Sequence, residues 1–197
     1  MGKNSEMRGP HPSDIHDAYL RILYWFFAVP NKDFTFNEIC RHTKTAKTTA
    51  QLAVEELLIR GLISKTVLGR LWRLKAKEES PLFRGLKSAF NLAVLYESNI
   101  LDKINARHPR TQAIVLFGSY RKGDDVPGSD IDIAVEVRGL KQMVIEEIER
   151  LTTIGWRTNV PVKVHLFSRD TVDINVFSNI ANGIVLDGFL EVYPTCE

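Results

Sequence analysis

The segment that most constrains the fold runs from Leu116 to Val137 and reads LFGSYRKGDDVPGSDIDIAVEV. An apolar run ends in a Gly-Ser pair, and ten residues further on a second apolar run carries Asp130 and Asp132. Because side chains in an extended strand alternate with a period of two, these two carboxylates lie on one face of the strand. Carboxylates that share a face repel each other unless positive charge lies between them. The segment therefore predicts two strands, a turn and a cation site in one place.

The turn between the two apolar runs has the composition of a phosphate-binding loop. Residues 113–117 predict a buried strand that breaks at Gly118 into a turn and a short helix. Glycine permits unusual backbone angles and the close approach of a ligand, and the first amides of a helix favour phosphate. Ser119 adds a hydroxyl donor, and Lys122 adds positive charge nearby. We therefore expect a phosphate group at this turn.

The paired aspartates have the chemistry of a magnesium site. Mg²⁺ is usually held by one or two carboxylates together with substrate phosphates. Asp130 and Asp132 flank Ile131 at the start of the second strand, IDIAVEV, whose Ile131, Ile133 and Val135 are expected to face the core. A divalent cation and a nucleotide bound between the turn and this strand would account for the paired negative charge.

These residues resemble a known family. The strings GSYRKG and SDIDI, in this order and spacing, resemble the signature of the polymerase-beta-like nucleotidyltransferase superfamily, and the minimal nucleotidyltransferases are the most similar type. Residues 181–188, ANGIVLDG, are similar to the closing segment of that family, so the resemblance spans roughly residues 97–190. It implies a mixed sheet with packed helices and two metal ions held by acidic residues. It also implies transfer of NMP from NTP to a hydroxyl group, with release of pyrophosphate.

The resemblance further implies a role for each residue of the motif. Asp130 and Asp132 would hold the ions, Mg²⁺ or Mn²⁺, and act as the catalytic pair. One ion would activate the attacking hydroxyl, and the other would stabilise the leaving group. The residues expected to bind the nucleotide are Gly118, Ser119, Lys122 and Ser129. Of these, Lys122 would neutralise the charge that develops on the leaving pyrophosphate.

The sequence departs from the family pattern at a third carboxylate, which active members supply from a later strand. Here that strand is predicted over residues 162–167, and its outward residues include Lys163 and His165. His165 stands where the carboxylate belongs, and a histidine can bind a metal or act as a general base. A lone histidine on a strand is more often a surface or hydrogen-bonded residue. Asp170 and Asp173 could substitute only if the following loop folds back.

The first third of the chain is basic. Residues 1–75 carry 12 Lys and Arg against 7 Asp and Glu, a balance of +5, whereas the remainder carries 14 against 17, a balance of −3. Apolar spacing and turn residues predict the order helix, strand, helix, helix and hairpin over these residues. That order resembles the winged helix family, in which the second helix of the helix-turn-helix enters the major groove of DNA. We therefore expect DNA binding, with protein docking or dimerisation as the alternative use of such a module.

The candidate DNA-binding residues are polar or basic and lie on two predicted elements. Those at the start of the expected recognition helix are Thr45, Lys47, Thr48, Thr49 and Gln51, and those on the expected wing are Arg70 and Arg73. Such side chains hydrogen-bond phosphates or base edges. The alternative is that the Lys and Thr residues are simply solvated on an exposed helix face.

Together these patterns predict an α/β (α+β) fold with an N-terminal winged helix followed by a nucleotidyltransferase-fold mixed sheet. The expected boundaries are 1–79 for the winged helix, 80–96 for a connecting helix and 97–197 for the nucleotidyltransferase-like domain, with a further helix over 141–153. No apolar run reaches the roughly 18 residues of a membrane span, and the N-terminal segment lacks the apolar core of a signal peptide. The two cysteines are far apart and have no zinc spacing, so a cytoplasmic protein is expected.

Three functions remain open at this point. The first is a metal-dependent nucleotidyltransferase acting on an unknown hydroxyl acceptor, with the winged helix serving regulation or docking. The second is a DNA-binding transcriptional regulator whose catalytically impaired nucleotidyltransferase domain senses nucleotide or dimerises. The third is an antitoxin-like protein with a helical partner protein. Because winged-helix proteins usually meet DNA as dimers, a homodimer is expected.

Overall fold

The computed structural model describes residues 12–192 of the chain. The segment 1–11 and the segment 193–197, which includes Cys196, lie outside the described residues. The chain divides into two compact units, Met1–Ser80 and Pro81–Glu197. Within the described range, no helix is both long and apolar enough to cross a membrane.

The first unit contains three helices and a small antiparallel sheet. Its elements, in chain order, are α1 (Pro12–Ala28), β1 (Asp33–Thr35), α2 (Phe36–Thr43), α3 (Lys47–Ile59), β2 (Ile63–Leu68) and β3 (Leu71–Ala76). The sheet order is β1-β3-β2. A two-residue loop at Gly69 and Arg70 joins β2 to β3, and Leu68 pairs with Leu71. The predicted order of elements and the predicted hairpin are therefore present.

Local sequence signals set the boundaries of these helices. Thr35 caps α2 because its hydroxyl accepts a hydrogen bond from the amide of Glu38, while the Glu38 carboxylate accepts one from the amide of Thr35. This reciprocal pair is the capping box that favours a helix start. Helix α2 ends where Lys44 adopts a left-handed conformation, with φ of 52°. Helix α3 then begins at Lys47 and packs its buried face, centred on Val54, against α1.

The second unit is a five-stranded sheet with helices on both faces. Its elements, in chain order, are α4 (Pro81–Glu97), α5 (Ile100–Arg107), β4 (Ala113–Phe117), α6 (Gly118–Lys122), β5 (Ile131–Glu136), β6 (Val144–Ile154), β7 (Arg157–Phe167), α7 (Ile174–Ala181) and β8 (Ile184–Gly188). The strand order is β6-β7-β5-β4-β8. Strands β5 and β7 run parallel and every other neighbouring pair is antiparallel, which makes the sheet mixed.

The two faces of this sheet have separate cores. Ile131, Ile133 and Val135 of β5 face the larger core, which also contains buried residues of α4 and α5. Ala134 and Phe167 face the smaller core together with Ile180 of α7. Because Asp132 lies between Ile131 and Ile133, alternation places its side chain on the face of the smaller core. The mixed sheet with packed helices agrees with the predicted fold class.

The predicted helix over residues 141–153 is wrong, because the segment forms the edge strand β6. Its apolar residues Ile148, Leu151 and Ile154 recur every three positions, which resembles helical spacing. The register of β6 against β7 shifts between Glu147 and Glu149, so a bulge changes the phase of the strand. The β-branched residues of VIEEIERLTTI were the better signal, because such residues favour strands.

A break separates the first two helices of the second unit. Helix α4 ends at Glu97, and α5 begins at Ile100 after Asn99, which adopts a left-handed conformation with φ of 55°. Asparagine tolerates this conformation better than most residues. The break divides the helical region between α4, which contacts α6, and α5, which packs Ile100 and Ile104 into the larger core.

Candidate functional site

The two aspartates of the motif lie at the start of β5, beside the end of β4. Asp132 is paired with Phe117, the last residue of β4, across the antiparallel ladder. Asp130 precedes the strand by one residue. The side chains of Asp130 and Asp132 are 27% and 29% exposed, so both carboxylates are accessible to a ligand.

The turn at Gly118 lies directly against Asp132. The φ of Gly118 is +71°, in the left-handed region that glycine adopts most easily. A Cβ atom at this position would lie 2.9 Å from Oδ2 of Asp132, closer than real Cβ contacts allow. Only a glycine therefore lets the backbone of the turn come this close to the carboxylate. Ser119 follows as the second residue of α6, and Lys122 at the end of α6 is exposed.

Strand β7 supplies two basic side chains to the same face. Asp132 is the parallel neighbour of Lys163, and Ala134 is the neighbour of His165. Lys163 Nζ lies 2.5 Å from Oδ2 of Asp130, and the hydrogen bond to this carboxylate raises the pKa of Lys163. His165 Nε2 lies 2.9 Å from Oδ1 of Asp132. The structure thus brings the predicted ligand His165 to the Asp pair and adds Lys163, whose role was not predicted.

The imidazole of His165 is fixed on a second side by an aromatic contact. The rings of Phe117 and His165 meet edge to face, with centroids 5.0 Å apart. The side chain of His165 is only 14% exposed. Packing of this kind restricts the orientation of the ring, and through it the orientation of the Asp132 carboxylate.

The possible metal ligands of this cluster are two carboxylates and one imidazole. Across residues 12–192, no group of three or more His, Cys, Asp or Glu side chains is placed to hold a metal ion. The Asp132 carboxylate and the His165 nitrogen offer one pair of donors, and Asp130 offers a further carboxylate that is shared with Lys163. Carboxylates suit Mg²⁺ and Mn²⁺, and imidazole is a ligand of several transition metals.

The two aspartates that could have supplied a third carboxylate lie elsewhere. Asp170 and Asp173 follow the carboxyl end of β7, whereas Asp132 lies near the amino end of β5, which runs parallel to β7. The carboxylate of Asp173 accepts hydrogen bonds from the amides of Asn175 and Val176 and so caps α7. This cap explains the start of α7 without a role in the site.

Ser129 closes the turn that leads into the Asp pair. Its amide donates to the carbonyl of Val126, and its hydroxyl accepts a hydrogen bond from the amide of Val126 at 3.0 Å. The predicted nucleotide-binding residue Ser129 therefore also has a local structural role. By fixing the turn, Ser129 determines the position of Asp130.

A buried ion cluster anchors the loop between α6 and β5. The carboxylate of Asp125, which is fully buried, contacts Lys87 Nζ at 3.2 Å and also pairs with Arg157. Asn91 donates to the same carboxylate at 2.8 Å. Arg157 also donates to the hydroxyl of Tyr120, and burial lowers the pKa of Arg157 and raises that of Tyr120.

This cluster was missed by the sequence reasoning. Its members come from α4, α6, the connecting loop and β7, and the contact of Lys87 with Asp125 spans 38 residues. No local spacing reports such a contact. The cluster matters for the site because Asp125 lies only five residues before Asp130.

The predicted DNA-binding residues of the first unit lie on α3 and at the hairpin. Lys47, Thr48 and Gln51 are exposed on the first turns of α3, and Arg70 is exposed at the hairpin loop. A groove of about 250 Å³ is lined in part by Gln51, Arg70 and Trp72. This arrangement leaves polar side chains on one concave surface of the unit.

The other predicted contacts of the first unit are partly engaged within the protein. Thr49 is buried, with 9% of its surface exposed, so little of it is accessible to DNA. Arg73 Nε lies 2.7 Å from Oδ2 of Asp33, and this hydrogen bond raises the pKa of Arg73 and lowers that of Asp33. The hydroxyl of Thr45 lies 2.9 Å from that of Thr43.

A comparison with protein families bears on the second unit. Residues 97–182 match the family model of the nucleotidyltransferase domain. The matched range extends from the last residue of α4 to the residue after α7, so it contains the Gly118 turn, the Asp pair and β7. A search among curated proteins found no match.

The match supports the predicted superfamily for residues 97–182. It supports nucleotidyl transfer as the class of activity and a nucleoside triphosphate as the class of substrate. The matched range also contains the point where the backbone of Gly118 comes close to the carboxylate of Asp132. The matched range does not include the first unit, whose winged helix stays a prediction.

Proposed function

We propose that the nucleotidyltransferase domain transfers a nucleotidyl group from a nucleoside triphosphate to a hydroxyl acceptor. The observation that carries this proposal is the close approach of the Gly118 backbone to the Asp132 carboxylate, which leaves no room for a Cβ atom at position 118. It brings a candidate phosphate-binding backbone and a candidate metal ligand to the same point. Asp132 would hold a divalent cation, Mg²⁺ or Mn²⁺, with Asp130 and His165 as further candidate ligands.

Some residues of the site would bind the substrate and the cation, and others would orient the ligands. A bound cation would activate the attacking hydroxyl and offset negative charge on the triphosphate. The Gly118–Ser119 turn would contact the phosphates, and the exposed Lys122 would place positive charge near the leaving pyrophosphate. Ser129, in the turn before Asp130, would contact the nucleotide. The packed ring of His165 would keep the Asp132 carboxylate directed to the cation.

Calorimetric titration of the full chain with each nucleoside triphosphate tests this proposal. Binding is expected in Mg²⁺ and not in EDTA, and Asp132→Asn should weaken it by about tenfold or more because a metal ligand loses its charge. Asp102→Asn is the matched control, because Asp102 is exposed on α5. Transfer of label from α-labelled nucleotide then identifies the acceptor. Equal binding by the wild type and Asp132→Asn would refute the assignment of the site.

We also propose that the first unit is a winged helix that binds DNA. Gln51 of α3 and Arg70 at the hairpin support this proposal because both line one groove. Lys47 and Thr48 support it because they are exposed on the first turn of α3. In this arrangement α3 would enter the major groove, and Arg70 would meet the phosphate backbone. If the nucleotidyltransferase domain proves inactive, this unit makes the chain a DNA-binding regulator or an antitoxin-like protein.

The salt dependence of DNA affinity tests the second proposal. Lys47→Ala and Arg70→Ala should each weaken binding to a mixed-sequence duplex and reduce the salt slope by about 1 between about 50 and 200 mM salt. Lys32→Ala is the control, because Lys32 is exposed in the loop before β1. Absence of binding by the full chain would leave protein docking as the use of this unit. Sedimentation and co-purification from the native host would then test the proposed homodimer and helical partner.

A further inference from the structure

Two basic side chains of β7 are held against the two carboxylates of the candidate metal site. Lys163 Nζ lies 2.5 Å from Asp130 Oδ2, and His165 Nε2 lies 2.9 Å from Asp132 Oδ1. The parallel register pairs Asp132 with Lys163, and both basic residues share the sheet face of Asp132 because they are two positions apart. Strand pairing in the core of the sheet therefore places the ammonium group at the Asp pair.

The charge of this cluster limits how many cations it can hold. Asp130 and Asp132 contribute two negative charges, and Lys163 offsets one of them. A site in which a carboxylate replaced Lys163 would differ by two units of charge. The number of negatively charged ligands is a main determinant of cation affinity. A second divalent cation next to Asp130 would also lie beside the ammonium group, and like charges at such short range repel.

The possible metal ligands that Lys163 does not engage lie at Asp132, and they suit one cation. Asp132 contacts His165, which can donate a nitrogen to a metal ion, and it is adjacent to the Gly118 turn where phosphate is expected. Asp130 is the carboxylate engaged by Lys163. The two halves of the cluster therefore differ in what they can bind.

We propose that Lys163 is a built-in cation that takes the place of one metal ion beside Asp130, so that the site binds a single divalent cation on Asp132 and His165. This inference rests on the proposed function for the nucleotide, whereas the competition between Lys163 and a metal ion does not depend on it. The ammonium group of Lys163 neutralises Asp130 permanently. It leaves the cation on Asp132 as the one that meets the triphosphate.

Titration of the full chain with Mn²⁺ alone, followed by the electron paramagnetic resonance signal of free Mn²⁺, tests this inference. The wild type should bind one Mn²⁺ at the site. Lys163→Met removes the competing charge and should tighten Mn²⁺ binding by about tenfold, and Lys163→Glu adds a carboxylate and should add a second bound Mn²⁺. Lys141→Met and Lys141→Glu are the matched controls, because Lys141 is an exposed lysine of the same unit. Neither control should change affinity or stoichiometry.

The outcomes separate this inference from the proposed function. Two Mn²⁺ ions on the wild type, or unchanged Mn²⁺ binding in both Lys163 variants with retained circular dichroism, would overturn it. Calorimetry with a non-hydrolysable nucleoside triphosphate is run in parallel on the same samples. If the wild type does not bind the nucleotide, the proposed function is overturned, while the Mn²⁺ titrations would still decide the role of Lys163. Lys163 is 40% exposed at its side chain, so its variants are expected to fold.

Discussion

The buried ion cluster at Asp125 gives a sharp prediction about charge balance. Asp125 and Lys87 are fully buried and Arg157 is 10% exposed at its side chain. One carboxylate therefore faces two cations. Asp125→Asn removes the only negative charge among these three groups and leaves Lys87 and Arg157 close together in a buried environment. Lys87→Met leaves Asp125 and Arg157, which balance each other.

The expected magnitudes follow from the burial and the distance. Removing one partner of a buried ion pair costs about 3–5 kcal/mol, because the remaining charge is left uncompensated. We therefore expect Asp125→Asn to lower the free energy of unfolding by about 3–5 kcal/mol. Lys87→Met also loses a hydrogen bond to the carbonyl of Asp125. Because the remaining pair of Asp125 and Arg157 is balanced in charge, the cost of Lys87→Met should be about 1–2 kcal/mol. Domains are typically stable by about 5–15 kcal/mol, so both changes are measurable.

Urea denaturation read by the fluorescence of Trp156 measures these differences in the second unit alone. The background carries Trp25→Phe and Trp72→Phe, because both of those tryptophans lie in the first unit. Lys103→Met is the control, because Lys103 forms an exposed ion pair with Glu149 and such pairs are worth about 0.2–1 kcal/mol. If Lys87→Met costs as much as Asp125→Asn, or if Asp125→Asn falls within the range of the control, the argument from buried charge is refuted.

Three further predictions concern single positions. Gly118→Ala should reduce nucleotide affinity by about tenfold, because its Cβ would collide with Asp132. Gly128→Ala is the control, because Gly128 is also at positive φ but has open space around it, and it should cost only about 1–2 kcal/mol of stability. Calorimetry and urea denaturation check both variants, and equal nucleotide affinities of Gly118→Ala and the wild type would contradict the close approach. Burial raises the pKa of the Cys40 thiol and shields it from reagents. In a Cys196→Ser background, Cys40 should react with Ellman's reagent at pH 8 about tenfold more slowly in the native protein than in the urea-unfolded protein. Equal rates would show that the thiol is accessible. Thr35→Ala should lower the free energy of unfolding of the first unit by about 1 kcal/mol, because the capping box of α2 is lost. Thr35→Ser should retain most of this stability, because serine keeps the hydroxyl. An equal loss of stability in both variants would assign the effect to packing.

Several parts of the fold could be predicted because their signals are local. The strand Ala113–Phe117, the break at Gly118 and the strand beginning at Ile131 all occur where the sequence places them. An apolar run, a glycine that adopts positive φ and an alternating strand each express a preference of a few neighbouring residues. For the same reason the hairpin around Gly69 was predictable.

The edge strand β6 shows where local pattern is insufficient. The spacing of Ile148, Leu151 and Ile154 fits a helix as well as it fits a strand that contains a bulge. Pairing with β7 along most of the length of β6 decides between the two, because each backbone group of β6 that faces β7 can find its partner there. That pairing depends on residues outside the segment and cannot be read from its periodicity.

The sequence by itself determined that Gly118, Asp130 and Asp132 would lie together, because a short turn and strand alternation are enough to bring them to one place. Only the tertiary structure decided what surrounds them. The contacts of Lys163 with Asp130 and of His165 with Asp132 depend on which strand lies beside β5 and in which register. Residues 33 positions apart meet because the cores on both faces fix that register, and the charge of the site follows from this packing.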